Sequence, residues 1–274
     1  MTIDQHTEVY GVIGSPIRHS LSPAMHNAAF REKGMNAVYL AFEPSHLGDC
    51  INGVRSLGIK GLSVTIPFKS DIIPLLDEAD DLALRIGAVN TVVNIDKRLK
   101  GYNTDALGAL RALEEKTDVS GRRAVIIGAG GAARAIGYML KQRGLEIIIA
   151  NRSVDRGTDL SRSLGCEFIQ LDKLVEVSAD ILINTTPVGM YPNLGISPSP
   201  EKAFKEGIVV MDIIYNPPKT RFLAMAEARG CRIVNGLSMF IYQGAEQFRL
   251  WTGIEAPLDV MTEAVKKALV SAQQ

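Results

Sequence analysis

The chain has 274 residues, of which 46% are hydrophobic, and its 30 Lys and Arg residues equal its 30 Asp and Glu residues in number. This length fits two domains with real hydrophobic cores, and the zero formal net charge excludes a global attraction to nucleic acid or to an anionic membrane surface. No apolar run reaches the ~18 residues of a membrane span, and the opening MTIDQHTEVYG lacks the basic start and apolar middle of a signal peptide. We therefore expect a cytoplasmic protein that holds acidic ligands with local donors.

The first part of the chain alternates strand-like and helix-like segments. EVYGVIG, AVYLAFEP and GLSVTIP are typical of strands, whereas SPAMHNAAFREKG, LGDCINGVRSLG and DEADDLALRIGA are typical of helices. This alternation predicts a sheet covered by helices. Ser22 before Pro23 is typical of a helix N-cap, and Gly34 is typical of a helix end.

A predicted hairpin and a predicted linking helix complete this part. VNTVVNI and LKGYNT are strand-like runs on either side of the polar turn Asp96-Lys97-Arg98, which predicts a β-hairpin. The next segment, ALGALRALEEK, carries leucines at helical spacing. It predicts a helix that can connect two domains.

A second alternating series runs from RRAVIIGAGG to CRIVNG. Its strand-like runs, such as AVIIG and EIIIA, are continuously apolar, which is typical of a parallel sheet covered on both faces. The closing segments NGLSMFIYQGAEQFRLWTG and VMTEAVKKALVSA contain no further strand-like run. The sequence therefore predicts a two-lobed α/β protein.

The cysteines and histidines do not indicate a metal site. Cys50, Cys166 and Cys231 are odd in number and widely spaced, which argues against a disulfide framework and against a zinc site. The four histidines show no H-E-x-x-H or other ligand spacing. We expect reduced core thiols and no bound metal.

The turn GAGGAA fits the dinucleotide fingerprint G-x-G-x-x-A and lies directly between a strand-like and a helix-like segment. Glycines let the backbone approach a pyrophosphate, whose charge is met by the free N–H groups and positive end of the helix. The alternative is a tight strand-to-helix turn that binds nothing. The candidate cofactor residues in this turn are Gly128, Gly130, Gly131, Ala132 and Ala133.

The end of the second strand of this series favours NADP over NAD. An NAD enzyme usually carries an acidic residue there, which binds the ribose hydroxyls. This chain instead has Asn151-Arg152-Ser153, with Arg156 one turn later. Two guanidinium groups suit a 2′-phosphate in charge and in fork geometry. Alternatively, the arginines are merely solvated at a helix start, where cations are unfavourable without an anion.

Several motifs follow one another along nearly the whole chain. In chain order they are GSPIRHSLSPAMHNAAF, GLSVTIPFK, GAVNT, GYNTD, VIIGAGGAARA, NRSVDR, NTTPVGM, DIIYNPPKT and NGLSMFIYQGAEQF. In this order they resemble the shikimate dehydrogenase family. The resemblance implies an N-terminal mixed-sheet α/β substrate domain, residues 1–105 and 238–274, to which the C-terminal helices return. It also implies a Rossmann-type, doubly wound NADP-binding domain at residues 106–237.

The resemblance implies the reversible, NADPH-dependent reduction of 3-dehydroshikimate to shikimate, with a small-molecule substrate and NADP as cofactor. Ser20 and Ser22 would bind the substrate carboxylate, helped by the Tyr215 hydroxyl. The ring hydroxyls would be bound by Thr65, Asn90, Asp105 and Gln243. Ser63 would reach the substrate only through a water, or leave that contact to Thr65 and Lys69. Further cofactor residues would be Thr186, Met190, Gly236 and Met239.

Lys69 and Asp105 would form the catalytic pair of such an enzyme. A lysine after the strand-like run VTIPF is ordinarily a solvated residue. Hydride addition to a ketone, however, creates an alkoxide, so the site needs a cation or an acid near that oxygen. Pro67 and Phe68 can stop the strand and direct the lysine toward the cleft between the predicted domains.

Two alternatives share the fold: a quinate or dual quinate/shikimate dehydrogenase, which often prefers NAD, and a catalytically silent NADP-binding regulator. The arginines and Ser22 argue against the first, and retention of Lys69 and Asp105 argues against the second. The oligomeric state is not given by the sequence, and a homodimer stays open.

Ser63 departs from the family, since many relatives carry asparagine at this position. A serine hydroxyl offers one donor, whereas an amide offers two donors and a separate acceptor. We expect Ser63→Asn to lower the KM for shikimate several-fold. The alternative is that Ser63 reflects adjusted local packing, so that asparagine is neutral or harmful.

Overall fold

The structure is a computed structural model that describes residues 3–271. The chain divides into two compact units, of which the first holds Met1–Thr104 with Gln243–Gln274 and the second holds Asp105–Tyr242. Each unit contains a six-stranded sheet with its own covering helices. The predicted α/β class, with one mixed and one parallel sheet, is confirmed.

Strands and helices alternate along most of the chain. Within the described residues the strands are β1 (Glu8–Ile13), β2 (Ala37–Phe42), β3 (Gly61–Val64), β4 (Glu78–Ala79), β5 (Thr91–Ile95), β6 (Arg98–Tyr102), β7 (Arg123–Ile127), β8 (Glu146–Asn151), β9 (Glu167–Gln170), β10 (Ile181–Asn184), β11 (Val209–Asp212) and β12 (Arg232–Val234). The helices are α1 (Ser22–Glu32), α2 (Leu47–Leu57), α3 (Asp81–Ile86), α4 (Asp105–Glu114), α5 (Gly131–Gln142), α6 (Val154–Leu164), α7 (Arg221–Ala228), α8 (Gly236–Thr252) and α9 (Leu258–Ser271). Short 3₁₀ helices span Ile73–Leu75, Leu171–Glu176 and Glu201–Ala203.

The sheet of the first unit is mixed, with strand order β2-β1-β3-β5-β6-β4. β1 runs parallel to both β2 and β3, whereas β5 runs antiparallel to β3 and β6. β5 and β6 form the predicted hairpin, and its turn residues Asp96 and Lys97 have φ angles of 49° and 69°. Positive φ at both central residues matches the twist of a two-residue hairpin turn. The turn is therefore one residue shorter than the sequence indicates.

Two predicted helix starts are wrong by a few residues. Ser22 is the first residue of α1 rather than its cap, since Leu21 holds the N-cap position and provides no side-chain acceptor. The Ser20 hydroxyl instead accepts from the Ser22 N–H at 3.3 Å. In the segment DEADDLALRIGA, the first residues form β4, and α3 begins only after Asp80, whose carboxylate caps it by accepting from Ala83 N–H.

β2 lies at one edge of this sheet, and α1 covers part of that edge. The Asn27 side chain donates from Nδ2 to Tyr39 O and accepts from Tyr39 N–H at Oδ1, both at 2.8 Å. These two bonds satisfy the outward-facing main-chain groups of Tyr39. A helix side chain thus replaces a neighbouring strand at this point.

The predicted return of the C-terminal helices to the first unit is confirmed. Trp251 of α8 donates from Nε1 to Val92 O at 2.9 Å. A Cβ at Gly61 would lie only 2.3 Å from that nitrogen, so glycine lets the indole rest on the sheet. Gly244 similarly leaves room for Met25 of α1. Close helix packing therefore depends on residues that lack a side chain.

The sheet of the second unit is parallel, with strand order β12-β11-β10-β7-β8-β9. Alternate residues of each strand enter opposite hydrophobic cores, because successive side chains of a strand point to opposite faces. In β7, Ile126 packs in one core, and Val125 and Ile127 pack in the other. This doubly wound arrangement brings the carboxyl ends of the strands to one edge. No helix within residues 3–271 is long and apolar enough to cross a membrane.

Candidate active site

Lys69 lies in a loop that main-chain hydrogen bonds hold at the end of β3. Thr65 N–H donates to Ile13 O at 2.9 Å, and Phe68 N–H donates to Thr65 O at 3.0 Å. Val89 N–H donates to the Lys69 carbonyl oxygen at 2.8 Å. Lys69 and Thr65 are both half-buried. The backbone beneath the lysine is therefore held by β1 and by the segment before β5.

Asn90 and Gln243, which are far apart in sequence, come together in the first unit. Both side chains are buried, and Asn90 Nδ2 donates to Gln243 Oε1 at 3.5 Å. Asn90 Oδ1 accepts from the Thr104 N–H at 2.8 Å, and Nδ2 also donates to Thr104 Oγ1 at 3.0 Å. Two residues that the sequence predicts to bind substrate hydroxyls thus form one polar cluster.

Ser20 and Ser22 lie at the N-terminal end of α1. Ser22 is buried and Ser20 is half-buried, and the first turn of α1 contains no acidic residue. Unpaired N–H groups and the positive end of a helix favour an anion. This location suits the carboxylate role that the resemblance implies.

Asp105 is the first residue of α4 and is half-buried. An acidic side chain in a first turn interacts favourably with the helix dipole. The two preceding residues are buried, and the Asn103 side chain donates to Ala88 O at 2.9 Å. The backbone that leads into Asp105 is thus fixed by hydrogen bonds.

A buried network of side chains beneath Asn90 was not predicted from the sequence. Tyr39 donates its hydroxyl proton to Ser63 Oγ at 2.6 Å, and Ser63 donates to Gln247 Oε1 at 2.8 Å. Gln247 Nε2 then donates to Thr91 Oγ1 at 3.1 Å. Burial raises the pKa of Tyr39, so the phenol keeps its proton. One signal was available: Gln243 and Gln247 are four residues apart and therefore share a helix face.

His26 packs against one side of this network. Its ring stacks on Tyr39 with centroids 4.5 Å apart, and Nε2 lies 3.3 Å from Gln247 Oε1. Burial lowers the pKa of His26 to about 3, so the imidazole is neutral at physiological pH. Among the residues that the structure describes, Nδ1 has no hydrogen-bond partner.

The glycine-rich turn of the second unit joins β7 to α5, as predicted. Gly128 has φ 119°, and a Cβ there would lie 2.5 Å from Thr185 Oγ1, so only glycine fits. At Gly130 and Gly131 a Cβ would meet nothing within 4 Å. α5 has no side-chain cap and no acidic residue in its first turn. Open space in front of uncapped N–H groups suits a pyrophosphate.

The next residues of this turn have different environments. Ala133 is completely buried and packs in a hydrophobic core of the second unit, whereas Ala132 is half-buried. A small residue at the last position of the fingerprint allows close packing of helix and strand. Packing therefore explains why Ala133 occupies the last position of the motif.

Arg152 and Arg156 are exposed where β8 passes into α6. Neither forms an ion pair with any residue between 3 and 271. Ser153 is the N-cap of α6, its hydroxyl accepting from the Arg156 N–H at 3.5 Å, and Asn151 Nδ2 donates to Ser153 O at 2.9 Å. The turn is thus held by its own polar groups, which leaves two guanidinium groups for an anionic ligand.

Asp212, at the carboxyl end of β11, is a second residue that sequence reasoning missed. It is completely buried and accepts from Thr220 Oγ1 at 2.6 Å, from Ile214 N–H at 3.1 Å and from Asn184 Nδ2 at 3.0 Å. Burial raises its pKa to about 6. Asn184 in turn accepts from the Thr186 hydroxyl at 2.7 Å. Asp212 therefore ties together the loops that follow β10 and β11.

The remaining predicted residues of the second unit differ in exposure. Met239 is only 8% exposed and packs in a hydrophobic core, whereas Met190 is 45% exposed. Tyr215 is half-buried and stacks on Phe240 with centroids 4.7 Å apart. At Gly236 a Cβ would lie 2.3 Å from Ile213 O, so close backbone approach explains this glycine.

A parallel-sheet unit with a dinucleotide turn, together with a mixed-sheet unit rich in hydroxyl and amide groups, defines a dinucleotide-dependent oxidoreductase. Residues 12–92 match the family described as shikimate dehydrogenase substrate binding domain, and residues 111–191 match shikimate / quinate 5-dehydrogenase. Residues 236–266 match the shikimate 5′-dehydrogenase C-terminal domain. The chain belongs to the shikimate dehydrogenase family.

Curated relatives from two organisms are similar in sequence over nearly the whole chain. The shikimate dehydrogenase (NADP(+)) of Moorella thermoacetica is 46% identical over 96% of this chain and 94% of its own length. The protein of the same name from Thermococcus kodakarensis is 49% identical over 97% of this chain and 98% of its own.

Solved structures of similar proteins have the same fold as this chain. A shikimate dehydrogenase in complex with NADP⁺ has TM-score 0.93 and 44% identity, covering 98% of each chain. The Thermus thermophilus enzyme in complex with NADP(H) and shikimate has TM-score 0.90 and 39% identity, covering 95% of this chain and 99% of its own. A quinate dehydrogenase from Corynebacterium glutamicum in complex with NAD has TM-score 0.88 and 30% identity, covering 95% and 99%. The higher identity lies with shikimate dehydrogenases.

Proposed function

We propose that this protein catalyses the reversible, NADP-dependent interconversion of 3-dehydroshikimate and shikimate. The protein is an NADP-dependent oxidoreductase of the shikimate dehydrogenase family. Its similarity to curated enzymes of that name extends over nearly its full length and supports this activity. The observation that carries the proposal is the polar cluster of Asn90 and Gln243 in the first unit. A small polyhydroxylated carboxylate needs convergent neutral donors of this kind, because the protein has no net positive charge.

The first unit supplies most of the proposed substrate contacts. Ser20 and Ser22 bind the carboxylate at the start of α1, where the helix end adds a favourable field. The ring hydroxyls are bound by Thr65, Asn90 and Gln243. Tyr215 and Asp105 complete the proposed set of substrate-binding residues.

Lys69 and Asp105 carry the proposed chemistry. When bound, NADPH supplies the hydride that reduces the ketone. The Lys69 ammonium stabilises the negative charge that develops on the carbonyl oxygen and donates a proton to it. Asp105 binds the substrate hydroxyl and orients the lysine. In the oxidative direction Lys69 accepts the proton of the alcohol.

The second unit supplies the proposed cofactor site. Gly128, Gly130 and Gly131 let the pyrophosphate approach the start of α5. Arg152 and Arg156 bind the 2′-phosphate, since their exposed guanidinium groups have no carboxylate partner among the described residues. A cytoplasmic location, the absence of nucleic-acid and membrane partners, and a homodimer stay predictions.

Initial rates with shikimate and quinate, each with NADP and NAD, test this function. We expect the highest kcat/KM for the pair of shikimate and NADP. Equal or faster oxidation of quinate would instead indicate a quinate dehydrogenase. Absence of turnover with every pair, in a protein that still binds NADP, would indicate a regulator.

A further inference from the structure

A continuous series of buried side-chain hydrogen bonds, the polar relay, runs from Tyr39 through Ser63, Gln247 and Thr91 to Asn90. Gln247 Nε2 donates to the Asn90 main-chain oxygen at 3.2 Å, so Oε1 is the accepting end of this amide, and each hydroxyl of the series has one proton to donate. Tyr39 donates to Ser63, Ser63 donates to Gln247 Oε1, and Thr91 donates to Asn90 Oδ1 at 2.8 Å. The Gln247 amide joins the two halves, because Nε2 donates to Thr91 Oγ1.

The relay and the main-chain N–H of Thr104 together determine which end of the Asn90 amide faces Gln243. Asn90 Oδ1 accepts from the Thr91 hydroxyl and from the Thr104 N–H, both at 2.8 Å. The Thr104 hydroxyl also lies 3.2 Å from Oδ1, and the two shorter bonds match the two lone pairs of a carbonyl oxygen. The amide nitrogen is therefore the end turned toward Gln243. Asn90 is held as a hydrogen-bond donor.

Burial makes this orientation sensitive to every member of the relay. Tyr39 and Gln247 are each 1% exposed, and Ser63 is 6% exposed. Water cannot easily replace a lost partner in such surroundings, so removing one hydroxyl leaves its neighbour unsatisfied. The neighbour then rotates to find another partner, and this disturbance passes along the series.

We propose that Tyr39, Ser63 and Gln247 are positioning residues, which hold the Asn90 amide as a donor toward a substrate hydroxyl. Ser63 acts on the substrate through this relay and not by direct contact. The inference rests on the proposed function, because it requires Asn90 to bind the substrate. It adds three positioning residues, of which Tyr39 and Gln247 are not among the site residues predicted from the sequence.

The relay also reverses the sequence-based expectation for Ser63→Asn. The Ser63 hydroxyl already lies 2.6 Å from the Tyr39 oxygen and 2.8 Å from Gln247 Oε1. A longer amide side chain would overpack this position and displace one of the two neighbours. We now expect Ser63→Asn to raise the KM for shikimate.

Steady-state kinetics of Tyr39→Phe and Ser63→Ala test the proposal. Each change removes one hydroxyl and little volume, and loss of one hydrogen bond in the relay should raise the KM for shikimate about three- to tenfold. The KM for NADP and kcat should change less than twofold. The double variant should resemble the more affected single variant, since the relay is interrupted once in either case.

Tyr10→Phe is the matched control. Tyr10 is also a buried tyrosine of the first unit, but its hydroxyl donates to Glu8 at 3.1 Å and not to the relay. It should keep the wild-type KM for shikimate. An equal rise in KM in Tyr10→Phe, or equal rises for NADP and shikimate in the relay variants, would show general destabilisation and overturn the proposal.

Asn90→Ala separates this inference from the proposed function. If Asn90→Ala raises the KM for shikimate, its role in substrate binding holds, and Ser63→Ala should add less than twofold in that background. A normal KM in Tyr39→Phe and Ser63→Ala beside a raised KM in Asn90→Ala would refute the relay alone. A normal KM in Asn90→Ala would refute the substrate-binding role of Asn90 itself, and the relay with it.

Discussion

The two units support their proposed sites in different ways. In the first unit, the groups around Asn90 are side chains held by other side chains, such as Ser63 and Gln247. In the second unit, the turn at Gly128 is shaped by backbone conformation and by the absence of side chains. A substitution in the first unit should therefore act through the hydrogen bonds that the replaced side chain makes. A substitution in the glycine turn should instead act by filling the space that glycine leaves open and by straining the backbone.

The largest expected effect tests whether side chains of the first unit perform the chemistry. Lys69→Ala should lower kcat by ~10²–10⁴, with a much smaller change in the KM for shikimate, because it removes a transition-state interaction. Steady-state rates measure this effect, with circular dichroism to show that the variant is folded. Lys60→Ala is the control, since Lys60 directly precedes the same strand and pairs with Glu8 at 3.8 Å. A near-normal kcat in Lys69→Ala would remove the lysine from the mechanism.

The next prediction tests whether the second unit alone selects the cofactor. The unmodified enzyme should favour NADP over NAD by at least ~10²-fold in kcat/KM, which corresponds to ~2.7 kcal/mol. Replacing Arg152 and Arg156 together by alanine should erase most of this preference by raising the KM for NADP. The KM for shikimate should stay unchanged. Equal use of NAD and NADP by the unmodified enzyme would contradict the role of the arginines.

Asp212 is the exception in the second unit, because here a buried side chain organises the site. Its pKa is raised by burial from 3.8 to about 6, so the folded protein binds this proton more tightly than the unfolded chain. The resulting stabilisation is fully present below pH 3.8 and is lost as the pH rises through about 6. It amounts to roughly 2–3 kcal/mol.

Denaturant unfolding between pH 4 and pH 7 measures this effect. The free energy of unfolding of the unmodified protein, relative to that of Asp212→Asn, should fall as the pH rises across this range. The comparison cancels the titration of the other carboxylates, which both proteins share. A difference independent of pH would mean that Asp212 does not titrate in this window.

The smallest expected effect distinguishes two reasons for glycine in this turn. One is the avoidance of backbone strain, and the other is room for the cofactor. Gly128→Ala should destabilise the protein by about 1–3 kcal/mol, because φ is 119° and a Cβ would meet Thr185 Oγ1. Gly130→Ala should leave the melting temperature nearly unchanged, since a Cβ there would meet nothing within 4 Å. It should instead raise the KM for NADP. If both variants lower the melting temperature equally, Gly128 and Gly130 do not have these separate roles.

The contrast between the units also explains how much the sequence could predict. The glycine turn and the hairpin were predictable because their signals lie within a few neighbouring residues. The hairpin turn at Asp96 and Lys97 is short for a similarly local reason, its two positive φ angles. The relay could not be predicted in the same way. Ser63 meets Tyr39 across 24 residues and Gln247 across 184, and only the tertiary fold brings them together.

Other differences have equally specific physical reasons. Asp212 ends the apolar run IVVMD, whose composition indicates a strand but not which ligands its last carboxylate will meet. The helix start at Ser22 moved by one residue because the Ser20 hydroxyl, and not that of Ser22, accepts the main-chain N–H. Met239 packs in a hydrophobic core of the second unit, and its contact with the cofactor stays a prediction.

The bonds between Asn27 and Tyr39 have a consequence for self-association. An edge strand with free N–H and C=O groups is a template on which a second molecule can add a strand, the first step of ordered aggregation. Asn27 occupies both outward groups of Tyr39 in β2. Strand addition along this edge would have to break both bonds first. The side chain that supports the start of the relay therefore also protects this part of the edge from sheet extension.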